Sequence, residues 1–175
     1  MPSPLAFVAA TATASAVTPV AAAPTTASHF SLFNGDPIKS MTVTSLACST
    51  QGTSAAAAEN LQLLAHMSVA MLKGIPTGGT AAQGPKPLGS GAAAGSNGVA
   101  VSTVTIVQDG IWHPVGWSAN SGAGTATIAL GTWTNLINTF GQPLYVIPPG
   151  GMLSLAVLSS TAAGKCVCSV TWTEQ

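Results

Sequence analysis

Three histidines, three cysteines, four acidic side chains and four tryptophans are the residues of this 175-residue chain that could do chemistry. General acid–base catalysis needs its groups within hydrogen-bond reach of one another. The carboxylates at Asp36, Glu59, Asp109 and Glu174 are scattered, and the nearest acid–histidine pair is Asp109 with His113. A serine would have to complete a Ser-His-Asp set. No Gly-x-Ser-x-Gly elbow supplies one, and Asp109-Gly110 reads as a hairpin turn. His29, His66 and His113 lack the close spacing of a metal-binding pair. Gly78-Gly79 and Gly122-Ala123-Gly124 lack the strand-then-helix setting of a phosphate-binding loop. These residues predict no catalytic, cofactor-binding or metal-ligating residue, and they point away from an enzyme.

Cys48, Cys166 and Cys168 are an odd set, which is not a disulfide framework. On a strand, Cys166 and Cys168 fall on one side, and one of them could bridge to Cys48. Buried thiols in a reducing compartment are the simpler reading. Trp112, Trp117, Trp133 and Trp172 could stack on sugars if exposed, but sandwich cores and subunit contacts commonly bury tryptophan. Thr-x-Thr recurs along the chain without the fixed interval that a solenoid requires, as expected for strand residues facing solvent.

The elements that must position these groups belong to an unusual chain. Charged residues make up 5% of it and none is arginine, against about 25% in an ordinary domain. Residues 1–35 and 110–143 contain no charged side chain. A dispersed monomer relies on surface charge, so such a chain is expected to be covered by partners or held in an assembly. The net charge of zero and the absence of a basic cluster exclude binding to nucleic acid through neutralised phosphates. No apolar run reaches the length of a membrane span. Leu5–Val8 followed by Ala21-Ala22-Ala23 resembles a secretory signal but lacks its positive first region, so synthesis in the cytoplasm is expected.

Residues 1–35 carry Pro2, Pro4, Pro19 and Pro24, a density that discourages helix and ladder pairing. They predict an extended N-terminal arm lying on a neighbouring surface, anchored by His29, Phe30, Leu32 and Phe33. Asn34-Gly35-Asp36-Pro37 is turn chemistry. Lys39–Cys48 reads as a strand with Met41, Val43 and Leu46 inward. Ser54–Leu72 has a capping serine, an early Glu59, a late Lys73 and a closing Gly74, and predicts one inserted helix over about 54–73. Gly74–Gly98 reads as a long loop with Lys86 exposed between prolines. From Val99 the chain predicts short strands at Val99–Gln108, Ile111–Ser118, Thr125–Leu130, Trp133–Asn138, Leu144–Ile147, Met152–Ser159 and Cys166–Thr173. The expected fold is mainly β: a jelly-roll-like antiparallel β-sandwich over 36–175, with the inserted helix, the 74–98 loop and the 1–35 arm.

Tyr145-Val-Ile-Pro-Pro-Gly-Gly-Met-Leu-Ser-Leu-Ala-Val, a short Ala-Ala-Gly turn and a final Val-Thr-Trp strand resemble the closing hairpin of small jelly-roll virion proteins of tailed bacteriophages, over about residues 99–175. The resemblance implies a capsid decoration (cement) or minor head protein on the virion surface, often trimeric. Its partners would be the major capsid protein or other virion proteins and further copies of itself. It carries no site residue and implies neither nucleic acid nor membrane as a partner. The alternatives are a tail, fibre or collar component contacting host glycans, and a secreted adhesin- or pilin-like module.

Overall fold

The computed structural model describes residues 6–11, 18, 20–25, 28–51, 59–68, 83–87, 96, 98–102, 111–120, 132–135, 145–159 and 165–175. Their regular elements are all strands: β1 Ala6–Ala10, β2 Phe30–Asn34, β3 Met41–Gln51, β4 Glu59–Ser68, β5 Gln83–Pro87, β6 Gly98–Ser102, β7 His113–Asn120, β8 Thr132–Asn135, β9 Tyr145–Ile147, β10 Met152–Ser159 and β11 Lys165–Glu174. One sheet runs β5-β1-β11-β3-β8, with β9 also on β3; the other runs β6-β2-β10-β4-β7. All their pairings are antiparallel.

The wiring has a simple logic. The first strand pairs with the last, β2 with β10, β3 with β9, and β4 with β7. That is one long hairpin, with β1–β4 going out and β7–β11 returning. It is rolled so that β11 also meets β3 and β10 also meets β4. The two sheets share one apolar core, the arrangement of a β-sandwich. Phe7, Met41, Val43, Leu46, Val170 and Trp172 contribute from the first sheet, and Phe30, Leu32, Leu63, Leu153, Leu155 and Val157 from the second. Alternation places these residues: Leu153, Leu155 and Val157 recur every second position of β10.

Strand β3 breaks this period once. Its register against β11 shifts between Thr171 and Trp172, so that Ser45 faces Thr171 while Val43 faces Trp172. Thr44 is the extra residue of a β-bulge, and its hydroxyl donates to the Thr171 carbonyl at 3.2 Å. The bulge lets Met41 and Val43 face inward with Leu46, across the change of parity.

The turn between β9 and β10 follows its sequence. Gly151 N–H donates to Pro148 C=O at 2.9 Å, and Gly150 has φ of 74°. Proline at the second position and a left-handed glycine at the third define a type II turn.

Three expectations are corrected. The helix over about 54–73 is not present: its described part, 59–68, is β4, a central strand between β10 and β7. Leu63 and Ala65 face the shared core, while Leu64, His66 and Ser68 are also buried. A strand buried on both faces reads as a continuous apolar run, which period alone does not separate from a buried helix. The proposed cap at Ser54, and Lys73 with Gly74, lie outside the described residues.

Residues 1–35 are also not an arm apart from the fold. β1 lies between β5 and β11, and β2 between β6 and β10. Both strand segments are free of proline. Finally, part of the expected 74–98 loop is β5, an edge strand on β1. Pro85 and Pro87 are tolerated there because an edge strand can lack a donor on its open side. The expected Asp109-Gly110 turn and the Thr125–Leu130 strand lie outside the described residues.

Candidate functional site

Many of the polar side chains with defined partners gather in four places, each set by a strand end or a strand face. At the tip after β2, the Asn34 amide donates to the carbonyls of Lys39 and Ile147, both at 2.9 Å. Its oxygen accepts the Asp36 N–H at 3.0 Å. The Asp36 carboxylate accepts the N–H groups of Ile38 and Lys39, both at 2.8 Å. This Asx chemistry closes the turn that joins the sheets, and it ties the turn to the end of β9.

Where β2 begins, His29 continues the ladder along β10. Its N–H donates to Leu155 C=O at 2.9 Å, and its Nδ1 accepts the Val157 N–H at 2.9 Å. Val20 takes over from there: Val20 N–H donates to Val157 C=O at 3.0 Å, and Ser159 N–H to Val20 C=O at 2.9 Å. The imidazole thus stands in for a strand residue. Burial holds the His29 pKa below its ordinary value.

On the face of the second sheet turned away from the shared core, Ser31 and Ser154 share a hydrogen bond of 2.9 Å, and Ser28 and Ser31 one of 2.6 Å. His66 lies directly across from Ser154. It is fully buried, and neither ring nitrogen has a hydrogen-bond partner among the described residues. Its ring packs at 5.2 Å against Trp112, tilted by 47°, and Trp112 Nε1–H donates to Pro24 C=O at 2.9 Å.

Between the sheets, His113 Nε2 and the Tyr145 hydroxyl are hydrogen-bonded, with their rings stacked at 5.5 Å. Burial pushes the Tyr145 pKa up to about 12. His113, the histidine nearest Asp109 in sequence, is therefore engaged by a phenol. Asp109 lies outside the described residues.

No two of these places combine a nucleophile, a base and an orienting acid among the described residues. The Asp36 carboxylate caps a turn. That of Glu174 accepts from the Ser96 hydroxyl and from Trp172 Nε1–H. No group of three or more potential metal ligands occurs among the described residues. Trp172 is fully buried and stacks on Phe7 with ring centroids 5.9 Å apart, so it offers no open ring face to a sugar, while Trp112 is half-buried against His66. Trp117 and Trp133 stand at register positions opposite Gln62 and Ala47. Cys168 is buried and stands opposite Cys48; Cys166 stands opposite Thr50. Sequence reasoning located the turn at Asn34. It missed the His29 imidazole as a ladder acceptor, for which only the end of the alternating pattern at Phe30 gave a signal. No family model, curated protein or solved structure matches the chain.

Proposed function

We propose that the chain is a structural virion protein: a jelly-roll subunit that decorates a phage head and stabilises it. The observation that carries this reading is the strand order. A long hairpin rolled so that the first strand meets the last, and split into β1-β11-β3-β8 and β2-β10-β4-β7, is the wiring of the jelly roll, an architecture of viral shells and of lectin domains. The extra strands β5 and β6 extend the same side of each sheet. The defined polar groups hold turns and ladders, which suits a part whose role is to pack against other parts.

The contact surface follows from exposure. Ile38 and Ile111 are 84% and 79% exposed, and both sit at the end of the molecule where β2 finishes and β7 begins. Strands β2 and β7 are three places apart in their sheet, about 14 Å at the usual strand spacing. Two bare isoleucines at one end supply apolar contacts for a neighbouring subunit, and self-association about a symmetry axis is the ordinary way to cover such a surface.

Heads lacking the protein, heated with and without the purified chain, test the reading. The chain should co-sediment with the heads and raise the temperature at which they open. Failure to bind, or equal lability with the chain bound, overturns it. The Ile38→Asp and Ile111→Asp variants should bind more weakly than the parent.

A further inference from the structure

We infer that Cys48 and Cys168 form a cross-strand pair that a disulfide can join, stapling β3 to β11 in the middle of the first sheet. The register places the two residues directly opposite each other, within the unbroken run from Lys165↔Gln51 to Thr171↔Ser45. The hydrogen bonds then fix which kind of opposition this is. Cys168 C=O accepts the Thr11 N–H at 2.9 Å, and Cys168 N–H donates to the Thr11 hydroxyl at 3.0 Å. Both backbone groups of Cys168 therefore point toward the β1 side.

In an antiparallel ladder, the N–H and C=O of one residue face the same neighbour. Toward β3, then, Cys168 occupies a non-hydrogen-bonded position. Facing residues at such positions lie closer, with Cα atoms about 4.5 Å apart. Disulfides need roughly 4.4–6.8 Å, so the usual spacing at such a position lies within reach of a bridge. Cys166 stands opposite Thr50. Its Cα is two residues along the strand from Cys168, about 6.7 Å away, near the far limit for a bridge. The pair at 48 and 168 is the one the ladder brings together.

Closure is an ordinary thiol–disulfide exchange with oxidised glutathione. One thiolate attacks the glutathione disulfide and releases one glutathione; the second displaces the other. An S–S bond forms between the two cysteines, the S–S bond of the oxidised glutathione breaks, and both electrons and both thiol protons leave on two glutathione molecules. Because Cys168 is fully buried, exchange is expected during folding, before the sheets close.

The test refolds the full chain in a mixed glutathione buffer. Thiols titrated after denaturation should fall from three, the total in the chain, to one. The intact mass should drop by two hydrogens, and a non-reducing peptide map should join the peptides that carry Cys48 and Cys168. The Cys166→Ser variant should keep the bridge and show no titratable thiol; Cys48→Ser should lose it. Three thiols persisting in a protein with native circular dichroism overturn the inference, and so does a mapped bridge that uses Cys166. The map on the unsubstituted chain decides the matter even where a variant fails to fold.

Discussion

Replacing His29 separates two roles that one imidazole performs on the edge of β10. Its Nδ1 accepts the Val157 N–H at 2.9 Å, and Val157 is fully buried. In His29→Ala that donor loses its acceptor, and a buried donor left unsatisfied costs about 1–3 kcal/mol. For a domain of this size, each kcal/mol moves the melting temperature by about 2–4 °C, so His29→Ala should melt about 2–12 °C lower at pH 8. In His29→Asn the amide oxygen takes the place of Nδ1 and keeps the bond without a titrating group. That variant should stay within about 1 kcal/mol of the parent.

The pH dependence separates them further. The folded state holds His29 neutral, with its pKa lowered by burial from the ordinary 6.5. Below that value the unfolded chain binds the proton more readily than the folded one. This contribution to stability is therefore complete above the unfolded value and is lost as pH falls through the window between it and the lower folded value. Protonation at Nδ1 would also set an N–H against the Val157 N–H. Thermal melts followed by circular dichroism from pH 8 to pH 5 should show the parent losing more stability than His29→Asn. Parallel slopes for the two would refute the assignment to His29, and an unchanged melting temperature for His29→Ala at pH 8 would refute the value given to the bond.

Trp172→Ala removes the largest fully buried side chain among the described residues, stacked on Phe7 between the sheets; truncations of this kind cost about 3–5 kcal/mol, read as a lower urea midpoint. Asn34→Ala deletes three hydrogen bonds at the β2 turn, which at about 0.5–1.5 kcal/mol each predicts a loss of about 1.5–4.5 kcal/mol, checked by the same titration. Tyr145 is the chain's one tyrosine, so an absorbance titration reads it alone. Its midpoint should lie near 12 in the folded protein and near 10 in denaturant, and the stability tied to its neutral form should fall as pH rises from 10 toward 12.

What was legible in the sequence was what local chemistry dictates. Met152–Ser159 was bounded correctly because Pro148-Pro149-Gly150-Gly151 fixes its start and leucines alternate through it. The long β3 was found from its threonines and valines, although only the bulge at Thr44 explains how Leu46 joins Met41 and Val43. What failed was what depends on distant partners. Residues 59–68 carry a good helical face by spacing, and only pairing to β10 and β7 on both sides makes them a strand. Likewise, a proline count over residues 1–35 averaged away two short proline-free runs, β1 and β2, whose partners β11 and β10 lie well over a hundred residues later. In the candidate site, the turn residues at Asn34 and Asp36 were readable, whereas His29 as an acceptor for Val157 was not. That bond joins positions 128 residues apart, and no spacing rule reaches so far.

The missing charge finds a cause inside the molecule. β10 is buried on both faces. Leu153, Leu155 and Val157 face the shared core, while Met152, Ser154 and Ala156 face the other way. On that outer side Phe33 and Met152 form a second apolar cluster, with Val99, Val101 and Trp112 packed against it. The chain at Pro24 is bound to the same side through Trp112, while Val20 continues the ladder beside β10. The second sheet is therefore covered twice. The serines at 28, 31 and 154 are small enough for close cover and satisfy one another's hydroxyls, so their burial carries little cost. A lysine or glutamate at any of these positions would be buried without a partner, at a cost of several kcal/mol. The charge-free residues 28–34 thus meet a demand of their own fold, and so does Trp112 in the charge-free run from 110. The composition of 1–35 consequently stops being evidence for an arm that clasps a neighbour. Among the described residues the large apolar side chains left exposed are Ile38, Ile111 and Val146, and the proposed assembly has those to draw on.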